Sequence, residues 1–179
     1  MKNMTVKKLA FCAVCIALAA VASMFSIYKF PFGGSVTICS MLIIVIPAWL
    51  YGVRTGAACG LVYGMIQFLI GPYIISVPQF VLDYVLAFSV MCVAGIFREH
   101  KNGLIKGYIA AVFARWIVAT CAGLAWVAAG FTAWDGWNPI PYSMAYNACY
   151  IFVEAALTIV ILLVPAVRGA LEYVKRQSC

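Results

Sequence analysis

Charged side chains are scarce in this chain of 179 residues. Lys, Arg, Asp and Glu together make up 9% of it, whereas a soluble domain carries about 25%. Hydrophobic residues make up 66%, and the mean hydropathy is +1.06. This composition excludes an ordinary soluble domain and predicts an integral membrane protein.

Groups suited to catalysis or metal binding are equally few. The chain has one histidine and five acidic residues, and its sequence contains no GxxxxGK[ST] phosphate loop. Cys12 and Cys15 have CxxC spacing, but no second pair or histidine cluster accompanies them, so small apolar helix positions explain them better than a metal or redox site. We therefore expect no enzyme, no metal site and no cofactor.

Long apolar runs are abundant. Six segments follow one another, each near the ~20 residues that a helix needs to cross a bilayer. They lie at about 8–28, 38–53, 55–71, 79–97, 106–130 and 141–167. Turn-forming or charged residues separate them, as in 29–35 and 134–141. The sequence therefore predicts an all-α membrane protein with six transmembrane helices in a single domain over 1–179.

The basic residues predict the orientation of these helices. Those on one side are Lys2, Lys7, Lys8, Arg54, Arg98, Lys101, Lys106, Arg168, Lys175 and Arg176. The other side has only Lys29, and Arg115 lies inside a span. Because basic loops stay on the cytoplasmic side, we expect both termini in the cytoplasm of a multi-pass protein of the cell membrane. The net charge of +7 then reflects topology and not nucleic-acid binding.

Two stripes of small residues indicate close helix packing. Glycines recur every four residues in the third segment, at Gly52, Gly56, Gly60 and Gly64, which predicts intramolecular approach of a neighbouring backbone. Alanines form a similar stripe on the first helix, at Ala10, Ala13, Ala17 and Ala20. For the alanines, packing within the bundle and docking on another protein both fit the spacing.

Three charged residues fall inside the predicted spans, where each is a candidate functional residue. At 1.5 Å per residue, Asp83 lies about 6 Å below the outer end of its helix, Glu154 about 20 Å and Arg115 about 22 Å. Arg115 and Glu154 are thus level and opposite in charge. The sequence predicts a structural ion pair between the fifth and sixth helices.

Asp83 has no basic residue at its own depth. It is protonated, or faces a water-filled outer cavity, or pairs with a cation that the protein does not supply. Aromatic and polar residues of the last three spans reach a comparable depth, namely Tyr84, Trp126, Tyr142, Tyr146 and Asn147. A carboxylate among aromatic faces suits a flat organic cation, so we expect an outward-facing pocket for a small cationic aromatic ligand.

Several short motifs occur in an order that resembles one known family. They are Gly33-Gly34-Ser35-Val36-Thr37, the glycine stripe, Gly71-Pro72-Tyr73, Gln79-x3-Asp83-Tyr84, Arg115-Trp116 and Tyr142-x3-Tyr146-Asn147-x2-Tyr150-x3-Glu154. Together they resemble the thiamine-specific substrate-binding subunit, or S-component, of energy-coupling factor transporters. The resemblance covers most of the chain. It implies capture of thiamine from outside the cell, with a transmembrane coupling protein and two ATPase subunits as partners that power uptake.

The resemblance also implies roles for particular residues. The ligand-binding residues would be Tyr73, Asp83, Tyr84, Trp126, Tyr142 and Asn147. Asp83 would balance the thiazolium charge, Trp126 would stack on a ring, and the tyrosines and Asn147 would form hydrogen bonds. Ala13 and Ala17 would dock on the coupling protein. Ala119 stands where the family commonly has histidine, so the affinity could be lower or the ligand could be a thiamine relative.

Two other classes of function compete with this one. The first is a self-sufficient small transporter or channel for a cationic or aromatic solute, against which stand the lack of a convincing internal repeat and of spans broken at their middle. The second is a membrane enzyme. It would need a nucleophile beside a base, or a metal cluster, and the sequence suggests neither.

Overall fold

The structure is a computed structural model that describes residues 6–132 and 136–178. Lys2 and the loop residues from 133 to 135 lie outside these ranges. In the described residues the helices are α1 (Val6–Met24), α2 (Ser40–Tyr51), α3 (Val53–Ile70), α4 (Val77–Phe97), α5 (Gly103–Ala128), α6 (Pro139–Leu163) and α7 (Pro165–Ser178). Two short strands, β1 (Ser26–Lys29) and β2 (Ser35–Thr37), connect α1 to α2.

All six predicted apolar segments form helices. Five of the described helices, α1 and α3 to α6, are long and apolar enough to cross a membrane. The second segment gives α2, which has only 12 residues and is buried along most of its length against the other helices. An all-α membrane fold is therefore confirmed, and the count of six spans with cytoplasmic termini stays a prediction.

Two of the predicted boundaries differ from the structure. The first segment was expected to stay helical to residue 28, but α1 ends at Met24 and the chain turns into an antiparallel hairpin that pairs Tyr28 with Val36. The last segment was expected to continue to residue 167, but it divides between α6 and α7. Pro165 begins the new helix. Because the first N–H groups of a helix have no partner within the helix, proline at this position loses no hydrogen bond.

Helix α4 is irregular where it faces the later helices. It begins with an α-helical turn, continues as a π-helical stretch over Val81–Leu86 and ends as a 3₁₀ helix over Val90–Phe97. Single π-helical turns within helices are frequent at functional sites. This one carries Asp83 and Tyr84.

The glycine stripe of α3 packs as the sequence predicts. A methyl group at Gly56 would overlap the side chain of Ala48 in α2, and one at Gly60 would overlap the carbonyl oxygen of Phe88 in α4. At Gly64 it would overlap the carbonyl oxygen of Tyr84. The intramolecular role of these glycines is therefore confirmed.

Replacement of Gly64 by alanine is expected to destabilise the protein by about 2 kcal/mol or more, because the rigid backbone of α4 occupies the space that the methyl group needs. Gly169→Ala is the matched control, since nothing lies near a methyl group at that helical position and alanine is the better helix former. Thermal unfolding of the two purified variants in detergent checks the difference. Equal unfolding midpoints would contradict tight packing at Gly64.

The alanine stripe of α1 points mostly away from the bundle. The buried residues of this helix are Cys12, Cys15 and Ala19, whereas Ala13 and Ala17 are exposed. Packing within the described part of the chain therefore does not use Ala13 and Ala17. Docking on another protein, the other alternative, stays a prediction.

Candidate functional site

A cavity of about 490 Å³ opens at the end of the bundle where α4 and α6 begin and α5 ends. All six residues that the sequence singled out as ligand-binding line it, namely Tyr73, Asp83, Tyr84, Trp126, Tyr142 and Asn147. Arg115 and Glu154 line its deeper part. The structure thus brings together side chains that are far apart in the sequence, while their binding of a ligand stays a prediction.

Asp83 accepts two hydrogen bonds from the protein. The amide Nε2 of Gln79 donates to Oδ2 at 2.5 Å, and the indole Nε1 of Trp126 donates to the same oxygen at 3.2 Å. In the described part of the chain no bond reaches Oδ1. No basic side chain pairs with Asp83 there either, as expected from the sequence. The carboxylate is thus fixed in direction with one oxygen left for a ligand.

Gln79 connects this carboxylate to the loop between α3 and α4. It is fully buried, its Nε2 also donates to the carbonyl of Tyr73 at 3.2 Å, and its Oε1 accepts the N–H of Ile75 at 3.2 Å. The sequence placed Gln79 in the resemblance to the S-components but gave it no role. In the structure it couples the position of Asp83 to that of the loop.

Tyr84 anchors the same loop from the helix side. Its hydroxyl donates to the carbonyl of Gly71 at 2.9 Å and accepts the N–H of Tyr73 at 2.9 Å. The hydroxyl of Tyr84 thus already bonds to two backbone groups, and a hydrogen bond from Tyr84 to a ligand stays a prediction. Its ring still lines the cavity.

Trp126 belongs to an aromatic wall of the cavity, which consists of Phe32, Tyr73, Trp126 and Phe131. Its ring centroid lies 5.5 Å from that of Phe131 and 6.4 Å from those of Phe32 and Tyr73. The bond to Asp83 sets the orientation of the indole plane, because a single N–H must point at the carboxylate. A flat ligand beside Asp83 would meet this aromatic wall.

On the α6 side the cavity is lined by Asn147 and by three tyrosines that lie about one helical turn apart, Tyr142, Tyr146 and Tyr150. The rings of Tyr142 and Tyr146 stack at 6.0 Å with an interplanar angle of 18°. Asn147 donates to the carbonyl of Ser143 at 2.9 Å and accepts from the hydroxyl of Tyr150 at 2.6 Å. Asn147 is thus held rigidly, and it already bonds to protein groups that a ligand would have to share.

The loop over residues 30–34 closes the cavity, and sequence reasoning missed its part in the site. The N–H of Gly34 donates to the hydroxyl of Tyr146 at 3.3 Å, and that hydroxyl donates to the carbonyl of Pro31. A methyl group at Gly34 would lie 2.8 Å from the ring of Tyr150, so only glycine fits. The sequence signal for this role is the Gly33-Gly34 pair, which belongs both to the turn over 29–35 and to the motifs that carry the resemblance.

The predicted ion pair between Arg115 and Glu154 is absent from the described residues. The carboxylate of Glu154 accepts four hydrogen bonds. Two come from the N–H and hydroxyl of Thr37 at the end of β2, at 3.2 and 2.6 Å. The other two come from the hydroxyl of Ser40 and the N–H of Met41 at the start of α2, at 3.0 and 3.1 Å. These donors and the positive end of the helix dipole compensate its charge. The guanidinium of Arg115 lies over the ring of Phe88 instead, 4.6 Å from its centroid.

The cavity therefore offers a carboxylate oxygen near an aromatic wall and a cation deeper inside. Such a site can hold a small flat molecule that carries a positive charge at one end and polar groups at the other. No group of histidine, cysteine and acidic side chains suited to a metal ion occurs in residues 6–132 and 136–178.

Comparison with known proteins gives concordant results. A family model described as thiamine transporter protein matches residues 9–171. The thiamine transporter ThiT of Bacillus subtilis (strain 168) is 30% identical over an aligned length of 171, and the match covers 87% of this chain and 88% of that protein. The solved structure of ThiT from Listeria monocytogenes superposes with a TM-score of 0.70 at 25% identity and covers 88% of this chain and 93% of that one.

Proposed function

Since this chain belongs to the thiamine transporter protein family, we propose that it captures thiamine from outside the cell as the substrate-binding subunit of an energy-coupling factor transporter. The family is one of transporters, so the chain serves transport and not catalysis. It is a multi-pass membrane protein; its place in the cell membrane, with six spans and both termini in the cytoplasm, is part of the proposal.

The observation that carries the proposal is the placement of Asp83. Asp83 lines an aromatic cavity, both of its hydrogen bonds use Oδ2, and no basic side chain of the described residues forms an ion pair with it. The thiazolium of thiamine is a flat cation that would supply the missing charge. Trp126 and Tyr73 would contact its ring faces, and the polar end of thiamine would reach toward Asn147 and Tyr142.

Uptake requires energy that this subunit is proposed to receive from partners. The proposed partners are a transmembrane coupling protein and two ATPase subunits. Ala13 and Ala17 offer a surface for the coupling protein, because they leave an exposed strip of α1 without bulky side chains, on which another helix can pack closely.

The double variant Ala13→Leu, Ala17→Leu is expected to bind thiamine normally and to lose most uptake, because the added side chains block close approach of the coupling helix while the cavity is untouched. Binding is measured by saturable quenching of tryptophan fluorescence in detergent, and uptake with labelled thiamine in cells that contain the coupling module. Val14→Leu, at an exposed position of the same helix, is the matched control and should retain both.

Each part of the proposal can fail separately in this experiment. Absence of saturable quenching in the unmodified protein would contradict thiamine binding. Uptake at the normal rate in cells without the coupling module would contradict the role as a subunit and favour the self-sufficient transporter. Normal uptake by the double variant would contradict docking through Ala13 and Ala17.

A further inference from the structure

A second cavity, of about 590 Å³, lies at the other end of the bundle. It is enclosed by the turn that leads into α5 and by the amphipathic helix α7. Gly103 at the start of α5 and Leu162 at the end of α6 line it, whereas the cavity around Asp83 is lined from the other parts of these two helices, such as Trp126 of α5 and Tyr142 of α6. The two cavities are therefore separate sites.

Basic side chains outnumber acidic ones in the lining of this second cavity. The cationic residues are Lys101, Arg168, Lys175 and Arg176, and His100 also lines it. Two carboxylates face them. Glu99 is paired with Arg98, whose Nε lies 2.8 Å from its Oε1, and the exposed Glu172 forms no ion pair within the described ranges. The cavity thus carries an excess of positive charge.

The protein holds two of these cations in place without neutralising them. Nη2 of Arg168 donates to Oδ1 of Asn102 at 2.7 Å, and Nζ of Lys175 donates to the carbonyl of Arg98. Nζ of Lys175 also lies 4.9 Å from the centroid of the Trp49 ring. All three contacts are to neutral groups, and a guanidinium has five N–H donors, so most donors of Arg168 remain available.

Trp49 supplies an independent sign that a ligand belongs here. It lines the cavity and is only 4% exposed, and its indole Nε1, which can only donate, has no hydrogen-bond partner in the described part of the chain. Buried polar groups without a partner are rare and costly in folded proteins. An acceptor atom bound in the cavity would satisfy this N–H.

We propose that this cavity binds a phosphate group. A phosphate carries the negative charge that the excess cations require, and its ionised oxygens accept hydrogen bonds from groups that can only donate, such as the indole N–H of Trp49 and the guanidinium of Arg168. Two sources offer this chemistry: the headgroup of an anionic phospholipid, beside which the basic amphipathic α7 would lie at the membrane surface, and free phosphate.

The test uses the purified full-length protein in detergent and follows its thermal unfolding midpoint. One arm adds inorganic phosphate against chloride at matched ionic strength, and the other adds short-chain phosphatidylglycerol against phosphatidylcholine. We expect a saturable rise of the midpoint in at least one arm. Arg168→Gln and Trp49→Phe should each raise the half-saturating concentration about tenfold, since each removes a donor to a charged group.

Arg54→Gln is the matched control, because Arg54 is exposed and lies outside the cavity lining while its loss changes the net charge equally. Lys101→Gln, whose exposed side chain forms no hydrogen bond in the described residues, replaces Arg168→Gln if that variant elutes as an aggregate. A response only to phosphatidylglycerol identifies the lipid headgroup, and a response to inorganic phosphate identifies the free anion. No saturable response, equal losses in Arg54→Gln, or unchanged half-saturation in the cavity variants would overturn the proposal.

Discussion

Asp83→Asn is expected to weaken thiamine binding by about 2 kcal/mol or more, which is roughly a 30-fold rise in Kd. Asparagine has nearly the same shape and keeps one oxygen for the donors Gln79 and Trp126, so the fold and the aromatic wall should persist. What disappears is the negative charge opposite the thiazolium. Isothermal titration calorimetry of the purified variant with thiamine measures the loss.

The charge effect is separated from a packing effect by a second ligand. A neutral thiamine isostere has an uncharged aromatic ring in place of the thiazolium. Its affinity for the Asp83→Asn variant should be less than about threefold weaker than for the unmodified protein, since its binding contains no charge pairing. Glu99→Gln is the matched control, because it removes an exposed carboxylate outside the cavity around Asp83. Equal losses for both ligands would show that Asp83 has a structural role only.

The positions of the helices could be predicted from the sequence because hydrophobic runs of bilayer length have few alternatives in a membrane. The glycine stripe could be predicted for a related reason: glycines four residues apart on a helix leave a groove that a neighbouring backbone fills. The start of the hairpin at Ser26 and the break at Pro165 could not be placed to the residue. Largely apolar sequence continues past the end of α1 to Tyr28 and past the end of α6 to Val167, so no change in hydropathy marks either helix end.

The lining of the cavity around Asp83 could be predicted in part. Asp83, Trp126 and Asn147 were grouped by their depth within different spans, and depth follows from counting residues along a helix. The covering loop with Phe32 and Gly34 was not predicted, because its contacts with α6 depend on tertiary folding that no local pattern encodes.

The prediction of an ion pair between Arg115 and Glu154 was wrong because depth in the membrane is only one of the coordinates that decide whether two side chains meet. Two residues at one level can face different neighbours around the helix axis, and counting residues does not give that direction. The start of α2 was also overlooked as a partner for a carboxylate, although helix N-termini present unbonded N–H groups. The Thr37-x2-Ser40 spacing at that helix start was the signal that sequence reasoning could have used.

Glu154→Gln is expected to lower the stability of the protein by about 3 kcal/mol, since hydrogen bonds to a charged group contribute about 1.5 to 3 kcal/mol each. Glutamine keeps one acceptor oxygen, but its amide group then faces hydrogen-bond donors at the end of β2 or at the start of α2. Thermal and chemical unfolding in detergent without thiamine measure the loss. Glu172→Gln, an exposed carboxylate of α7, is the matched control and should change stability little.

Arg115→Gln decides between the two accounts of Glu154. If Glu154 is held by the start of α2, loss of Arg115 removes only its contact with Phe88 and costs about 1 kcal/mol, and the double variant loses close to the sum of the single losses. If the two residues formed an ion pair, either single change would leave a buried charge alone, and the double variant would be no worse than one of them. Near-additive losses of stability therefore support the helix start as the partner of Glu154. Strong coupling between the two changes would support an ion pair between Arg115 and Glu154 instead.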